Sequence, residues 1–451
     1  MDLLKKIFKG DKVIWIIFLM LCLISIVEVF SASSTLTFNK TDHWGPITQH
    51  SFFLMAGALI VVLFHNIPYR WFQIFPPILL AVSFVFLLLL LVVRDLNIGG
   101  LIVIERTNEA GRWIKIMGIT FQPSELAKMG VVLGTAYILS KEQGEDEAGP
   151  KAFKHIMVLA AIFCGLIFPE NFSTSVLLFG VVFLMMFIGR INYRKLLTLM
   201  GSLAGLAVAG IIFLQVTKDV DIAVLHRFDT WRGRIEKFMD NTEIPPEKFD
   251  TNKDGQIGHA HIAIATSNVL GKGPGNSVER DFLSQAYSDF IFAIIIEELG
   301  LVGGAIVVFL YICLLIRAGR IASKCNRTFP AFLAIGIGLI LVVQALFNMM
   351  VAVELAPVTG QPLPLISRGG TSTLINCMYI GMLLSISRYT AALEEEERKN
   401  REQALHDAQI PMLVEAGQTD LNNAIVAPSD SEAQTAEGPT SAALNNDNEF
   451  D

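Results

Sequence analysis

Apolar residues in this chain come in long unbroken runs rather than in the alternating or one-faced patterns of water-exposed strands and helices. A helix needs roughly 20 mostly apolar residues to cross a bilayer. Ten stretches meet or approach that length: Val13–Ser31, Gln49–Phe64, Trp71–Val93, Ser124–Leu139, His155–Phe168, Thr174–Ile188, Leu196–Leu214, Ser288–Ile316, Pro330–Met350 and Thr371–Tyr389. The fifth and sixth are short and separated only by the polar break at residues 169–174, PENFST. Charge placement decides that they are two helices rather than one. With the N-terminus inside, the inner segments carry Lys5, Lys6, Lys9 and Lys12, then Arg70, then Lys141, Lys151 and Lys154. Arg190, Arg194 and Lys195 follow, then Arg317, Arg320, Lys324 and Arg327, then Arg388, Arg398, Lys399 and Arg401. Every inner segment is basic, as the positive-inside rule requires; merging the two short runs would put the later clusters outside.

The pattern predicts an all-α polytopic membrane protein with ten transmembrane helices and both termini in the cytoplasm. A large outer loop, residues 215–287, joins the seventh and eighth helices. The expected organisation is a cytoplasmic N-terminus over 1–12, a membrane domain over 13–389 and a disordered acidic cytoplasmic tail over 390–451. The first run follows four lysines and lacks a clear small-residue cleavage site, so it reads as a retained helix rather than a removed signal peptide.

Composition agrees and narrows the classes. The 451 residues are 53% hydrophobic and only 17% charged, against about 25% charged in soluble proteins. The net charge of −7 is an average over basic loops and a tail without Lys or Arg after Arg401, so nucleic-acid binding has no support. Cys22, Cys164, Cys313, Cys325 and Cys377 are scattered, with neither disulfide-framework nor metal-ligand spacing.

Candidate chemistry lies in the predicted outer regions. In residues 111–128, GRWIKIMGITFQPSELAK, Ser124 is placed to cap a helix, and Glu125 and Lys128 are i and i+3 on one face, able to pair. Arg112 and Trp113 fit an interfacial anchor or a contact for an anionic headgroup, and spacing leaves both open. Asp250, Asn252, Asp254 and Gly255 match the opening of a calcium loop, but His261 stands where a bidentate Glu is needed; a tight polar turn is the plainer reading. The glycine-rich 271–277, GKGPGNS, lacks the Walker spacing, although bared N–H groups beside Lys272 suit a pyrophosphate. It leads into Asp289, at the mouth of an apolar run that also holds Glu297 and Glu298. Lost hydration raises a carboxyl pKa towards the range of a general base. A helix N-terminal acid favoured by the macrodipole explains Asp289 equally well, so the residues alone leave both readings open. Glu297 is about 80° around the helix and roughly 12 Å deeper, while Glu298 faces nearly the opposite way, towards another helix. Residues 351–372, VAVELAPVTGQPLPLISRGGTS, hold three prolines and three glycines; irregular backbone at membrane depth must be buried in protein or line a cavity.

These three blocks, in this order and with this span count, resemble the SEDS family (shape, elongation, division and sporulation) over about Val13 to Tyr389. The resemblance implies an inverting peptidoglycan glycosyltransferase that polymerises lipid II at the outer face of the bacterial cytoplasmic membrane. The family's essential aspartate falls on Asp289, its paired polar residues on Glu125 and Lys128. Substrate contacts are expected at Arg112, Glu125 and Lys128 in the first block, at Lys272, Asn276, Ser277 and Glu297 in the second, and at Thr359, Ser367, Gly369 and Gly370 in the third. Lys272, Arg280, Arg112 and Lys128 are candidates for neutralising the pyrophosphate. A divalent cation, magnesium or manganese, bridging Asp289 and the pyrophosphate is compatible with the reading, but no outer cluster has the spacing to claim one. The implied partners are a class B penicillin-binding transpeptidase and other divisome membrane proteins. The end of the first span, VEVFSASS, and the long charged tail are more similar to the FtsW branch than to the RodA branch, which implies septal cell division. An elongation-type polymerase and a lipid II flippase or transporter are the alternatives. The chain departs from the family pattern at Asn171 and Ser173, where an acid and a glycine are usual, and at Arg368, where a tyrosine is usual. His259 and His261 follow Gln256 where Gly-Tyr-Gln is often found.

Overall fold

The computed structural model describes residues 9–33, 44–93, 96–98, 102–107, 110–116, 119–144, 147–216, 255–283 and 286–426. Residues 1–392 form one compact unit and 393–451 a second. In the first unit every predicted apolar run is helical: α1 (Lys12–Ala32), α2 (Gly45–Asn66), α3 (Phe75–Val92), α4 (Pro123–Lys141), α5 (Pro150–Ile167), α6 (Phe172–Ile188), α7 (Tyr193–Val216), α9 (Ile291–Ser323), α10 (Thr328–Ala352) and the start of α11 (Gly370–Val426). A further short helix, α8 (Gly255–Ala265), lies in the long loop before α9. Among the described residues seven helices are long and apolar enough to cross a membrane: α1, α2, α3, α5, α9, α10 and residues 370–406 of α11. The apolar α6 is shorter, and Glu125, Lys128 and Lys141 dilute the hydrophobicity of α4.

Local chemistry explains where the helices begin. Asp11 caps α1, its Oδ1 accepting from Val13 N at 2.8 Å and Ile14 N at 3.3 Å, which satisfies two of the orphan donors of a helix start. Pro123 opens α4 at a position where no N–H is missed. Asn171, in the polar break, caps α6 by accepting from Thr174 N at 3.2 Å, so α5 and α6 are separate helices.

The α9 helix packs most heavily on α10 and also on α1; α4 packs on α3 and α10. Asp11 is also ion-paired with Arg317 near the end of α9, Nε to Oδ2 at 2.8 Å, and at the opposite end Ser31 of α1 donates to Glu298 of α9. The two tie points are about twenty residues, hence about 30 Å, apart on each helix, which is the hydrocarbon thickness of a bilayer. Ile16, Leu19, Leu23 and Phe30 of α1 and Phe52, Met55 and Leu59 of α2 are exposed. An apolar belt of that extent would be a large unfavourable patch in water and is at rest only in lipid. The protein is an integral membrane protein.

Three findings differ from the sequence expectation. The chain is not all-α: residues 96–121 form an antiparallel meander of β1 (Leu96–Ile98), β2 (Ile102–Thr107), β3 (Ala110–Ile116) and β4 (Ile119–Phe121). Ile104 of β2 and Ile114 of β3, cross-strand partners, pack with Leu90 near the end of α3. In sequence, Ile102 and Ile104 of β2 and Ile114 and Ile116 of β3 recur at every second position, the period of a half-buried sheet. Next, α9 is not one helix. Gly300 has φ 73° and ψ −176°, and divides it into 291–299 and 301–323. Finally, the stretch from 390, expected as a disordered tail, is helical in the second unit up to Val426. Glu395–Lys399 and Arg398–Glu402 are i,i+4 pairs there, in a run of good helix formers. The calcium-loop residues Asp250, Asn252 and Asp254 lie outside the described residues, as does most of the outer loop; from Gly255 the chain is helical.

Candidate active site

The break in α9 is built by the glycine loop that precedes it. A helix interrupted inside a protein leaves carbonyls on one side and N–H groups on the other without partners. Here Lys272 N donates to Glu297 O at 2.9 Å and Gly273 N to Glu298 O at 2.8 Å, while Leu301 N and Val302 N donate to Asn268 O and Val269 O, both at 3.3 Å. Such contact demands glycine on both chains. A Cβ on Gly271 (φ 76°) would lie 2.2 Å from Glu298 O, and one on Gly300 would lie 2.2 Å from Val269 O.

The two glutamates beside the break hold the rest of the loop. Glu297 accepts from Lys272 Nζ at 2.6 Å, Ser277 Oγ at 2.5 Å and Val278 N at 3.1 Å. Glu298 accepts from Gly275 N at 2.9 Å, Ser277 N at 3.2 Å and Ser31 Oγ, with the Arg280 guanidinium 3.8 Å away. Both side chains are 0% exposed, so each carboxylate is stabilised by donors of the loop rather than by water. The sequence placed Glu298 against another helix; it touches Ser31 of α1, but it faces the same loop as Glu297. Lys272, Asn276, Ser277 and Glu297 are thus one cluster. Asn276, exposed, donates to Lys272 O at 2.9 Å and closes the turn.

A second cluster lies across the bundle. Lys128 Nζ meets Glu125 Oε1 at 2.8 Å, and both residues are 1% exposed. Lys128 also donates to Gln344 Oε1 of α10 at 2.7 Å, and Gln344 Nε2 donates to Pro362 O at 3.0 Å. The irregular segment 353–369 is therefore anchored to the ion pair. Its residues 363–367 are buried, and it descends far enough for Pro364 O to accept from Tyr311 and Ile366 O from Ser25. This is non-helical backbone buried within the bundle, the condition for its survival at membrane depth.

Asp289 sits where this segment meets the start of α9. Its Oδ1 accepts from Ser288 Oγ at 3.0 Å, and its side chain is half-buried. Beside it, Tyr287 stacks under the Arg368 guanidinium, 5.5 Å from the ring centre, and Arg368 also donates to Gln49 Oε1 at 3.0 Å. Burial raises the Tyr287 phenol above its ordinary value; Arg368 opposes the rise and the Asp289 carboxylate adds to it. Burial lowers the Arg368 pKa, with Tyr287 opposing. A cation, a phenol and a carboxylate thus share one mouth.

Of the remaining expected site residues, Ser367 donates to Ser288 O at 2.6 Å and accepts from Leu363 N at 2.7 Å. Thr359 is buried with its hydroxyl unpaired among the described residues. Gly369 precedes α11, and Gly370 opens it beside Phe53 and Thr120. Arg112 lies on β3, its side chain outside the described residues. Of the four expected phosphate-neutralising cations, Lys128, Lys272 and Arg280 each face a buried glutamate. Among the described residues no group of three or more His, Cys, Asp or Glu is placed to hold a metal ion. The sequence reading missed Gln344, Asn348 and Gln361, although Gln344 and Asn348 are polar residues at i,i+4 inside an apolar span, which is itself a signal. His259 pairs with Glu279 at 2.7 Å and stacks on Phe282, a contact with no counterpart in the reading.

The sequence model of the cell cycle protein family of FtsW, RodA and SpoVE matches residues 11–392. The chain belongs to this family. A Geobacter metallireducens protein named "Probable peptidoglycan glycosyltransferase FtsW" is 32% identical over 388 residues, covering 85% of this chain and 96% of its own length. A Bacillus subtilis protein of the same name is 28% identical, covering 88% and 95%. Among solved structures, a chain from work described as "Structural coordination of polymerization and crosslinking by a peptidoglycan synthase complex" superposes with a TM-score of 0.63 at 22% identity, over 85% of this chain and 99% of that one. Thermus thermophilus RodA superposes with a TM-score of 0.57 at 22% identity, over 84% and 97%. The fold of this family member is therefore the SEDS fold.

Proposed function

We propose that this family member is a peptidoglycan glycosyltransferase that polymerises lipid II into glycan strands during septal division. Near full-length similarity to proteins named as FtsW glycosyltransferases supports the activity and the branch. In this reading the chain crosses the cytoplasmic membrane ten times with both termini inside. The Asp11–Arg317 tie is at the cytoplasmic end, and the Ser31–Glu298 tie, the sheet and Asp289 are at the outer end.

The observation that carries the mechanism is the position of Asp289, half-buried between the apolar first half of α9 and the segment 353–369, which is buried at 363–367. Asp289 acts as general base: its carboxylate takes the proton of the acceptor GlcNAc 4-hydroxyl, whose oxygen attacks C1 of the donor MurNAc. The C1–O bond to the pyrophosphate breaks with inversion, and undecaprenyl pyrophosphate leaves with the bonding electrons. Partial burial suits the task, because lost hydration favours proton uptake by a carboxylate. Arg368 and the glycine loop with Lys272 are the cations and N–H groups closest in character to what a pyrophosphate requires. Glu125, Lys128, Asn276, Ser277, Glu297, Thr359, Ser367, Gly369, Gly370 and Arg112 complete the proposed substrate region. The partner is a class B penicillin-binding transpeptidase within the divisome, a reading supported by the superposition on a chain of a complex that couples polymerization and crosslinking.

The test is a gel assay of fluorescent lipid II with the purified protein, with and without such a transpeptidase. Long glycan strands are the expected product. Unpolymerised lipid II, together with transbilayer movement of lipid II in vesicles, would contradict the proposal in favour of a transporter.

A further inference from the structure

The backbone around Asp289 is held with unusual completeness. Three successive carbonyls each accept a hydrogen bond from a different group: Tyr287 O from Arg368 N at 2.9 Å, Ser288 O from Ser367 Oγ at 2.6 Å, and Asp289 O from Asn348 Nδ2 at 2.8 Å. Two of the donors belong to the irregular segment 353–369. The third, Asn348, belongs to α10 and makes a second bond with the same amide nitrogen, to Gln361 O at 2.8 Å. Two carbonyl acceptors on one amide nitrogen fix the orientation of the side chain, since the flipped amide would set oxygen against oxygen.

Asn348 is 1% exposed, and its Oδ1 has no hydrogen-bond partner among the described residues. The bonds this side chain makes are the two from Nδ2, which bridge Asp289 O and Gln361 O and tie the start of α9 to the segment. One turn away on the same face of α10, Gln344 holds the next carbonyl of the segment, Pro362 O, and receives Lys128, which pairs with Glu125. A continuous buried strip thus joins the Glu125–Lys128 pair, α10, the segment at 361–362 and the main chain of Asp289.

We propose that Asn348 is a positioning residue for Asp289: it fixes the carboxylate-bearing residue against the segment 353–369, and through Gln344 that placement depends on the buried Glu125–Lys128 pair. The inference rests on Asp289 being the general base. A carboxylate displaced by a fraction of an ångström still binds nothing differently but abstracts the proton less well, because general-base catalysis requires hydrogen-bond reach. Glu125 and Lys128, besides belonging to the proposed substrate region, then also act through Asp289.

The experiment compares Asn348→Ala, Asn348→Ser, Gln344→Met and Asp289→Asn in the full-length protein with its transpeptidase, measuring kcat and KM on lipid II, equilibrium lipid II binding and the melting temperature. Asn348→Ala is expected to lower kcat by about 10- to 100-fold with KM and binding within about 2-fold. Asn348→Ser, which restores one donor, recovers at least part of the loss, and Gln344→Met shows a smaller loss in kcat of the same type. Unchanged kcat in Asn348→Ala, or a loss carried by KM and binding, overturns the proposal. If Asn348→Ala does not fold, the same criteria apply to Asn348→Ser and Gln344→Met. An active Asp289→Asn overturns the general-base reading itself; an inactive Asp289→Asn beside a fully active Asn348→Ala overturns only the positioning role.

Discussion

Asp289 and the pair Glu297–Glu298 are acids two to three helical turns apart along the same segment, and the protein treats them in opposite ways. The glutamates are fully buried and their oxygens are met by Lys272, Ser277, Gly275, Val278 and Ser31, all but the last from one loop. At Asp289 it is the main chain that is clamped, at three successive carbonyls, while the side chain is half-buried beside Tyr287 and Ser288. A buried carboxylate met on its oxygens by loop donors is fixed in place, and it holds the loop in turn. The Asp289 carboxylate, on a clamped backbone near a cation and a phenol, is the one that the proposed reaction uses. In the proposed reading the same residue chemistry is the anchor at one end of 289–298 and the base at the other.

The sharpest way to break the comparison is at the glycine joint against which the glutamates' loop is built. Gly300→Ala combines a positive φ with a Cβ 2.2 Å from a carbonyl oxygen, and is expected to abolish recovery of folded protein, read as monodisperse yield in detergent. Glu298→Ala leaves Arg280 and two loop N–H groups facing a cavity. Removing one partner from a buried charged group costs about 3–5 kcal/mol, so a large fall in melting temperature should accompany any loss of activity. Gly275 has φ 82° but open space around its Cα; Gly275→Ala should cost only about 1 kcal/mol, which isolates close approach from backbone strain. The smallest effect concerns Tyr287. Its raised pKa means that the folded state holds the phenol proton more tightly than the unfolded state, whose value is near 10.0. Its contribution is therefore full below that pH and lost as pH rises through the higher folded value. The alkaline fall in melting temperature should be shallower in Tyr287→Phe.

Much of this arrangement was visible in the residues, and the parts that were not share a cause. The ten apolar runs announce themselves because a bilayer requires length and hydrophobicity, and the PENFST break marks its own helix start through Asn171. The three polar blocks supply residues that the fold gathers at the Glu297–Glu298 loop, the Glu125–Lys128 pair and the mouth at Asp289. The meander at 96–121 escaped because its alternation of apolar residues lies between long spans that dominate any hydropathy reading. The break at Gly300 escaped because one glycine in an apolar run is compatible with a continuous helix; only the approach of Gly271 forces the left-handed conformation. The clamp on Asp289 is formed on backbone carbonyls, which every residue possesses, so its acceptors leave no mark in the sequence. Its donor Asn348 does leave one, as a polar residue in an apolar helix.

The central claim is that Asp289 performs the proton transfer and does not hold the fold. It is tested most directly by polymerisation of labelled lipid II by purified wild-type and Asp289→Asn proteins, each with the transpeptidase and each matched by melting temperature. Asp289→Asn should unfold within a few degrees of wild type and lose about 10²- to 10⁴-fold in turnover, the contribution of a general base. Polymer made by Asp289→Asn at the wild-type rate would contradict it.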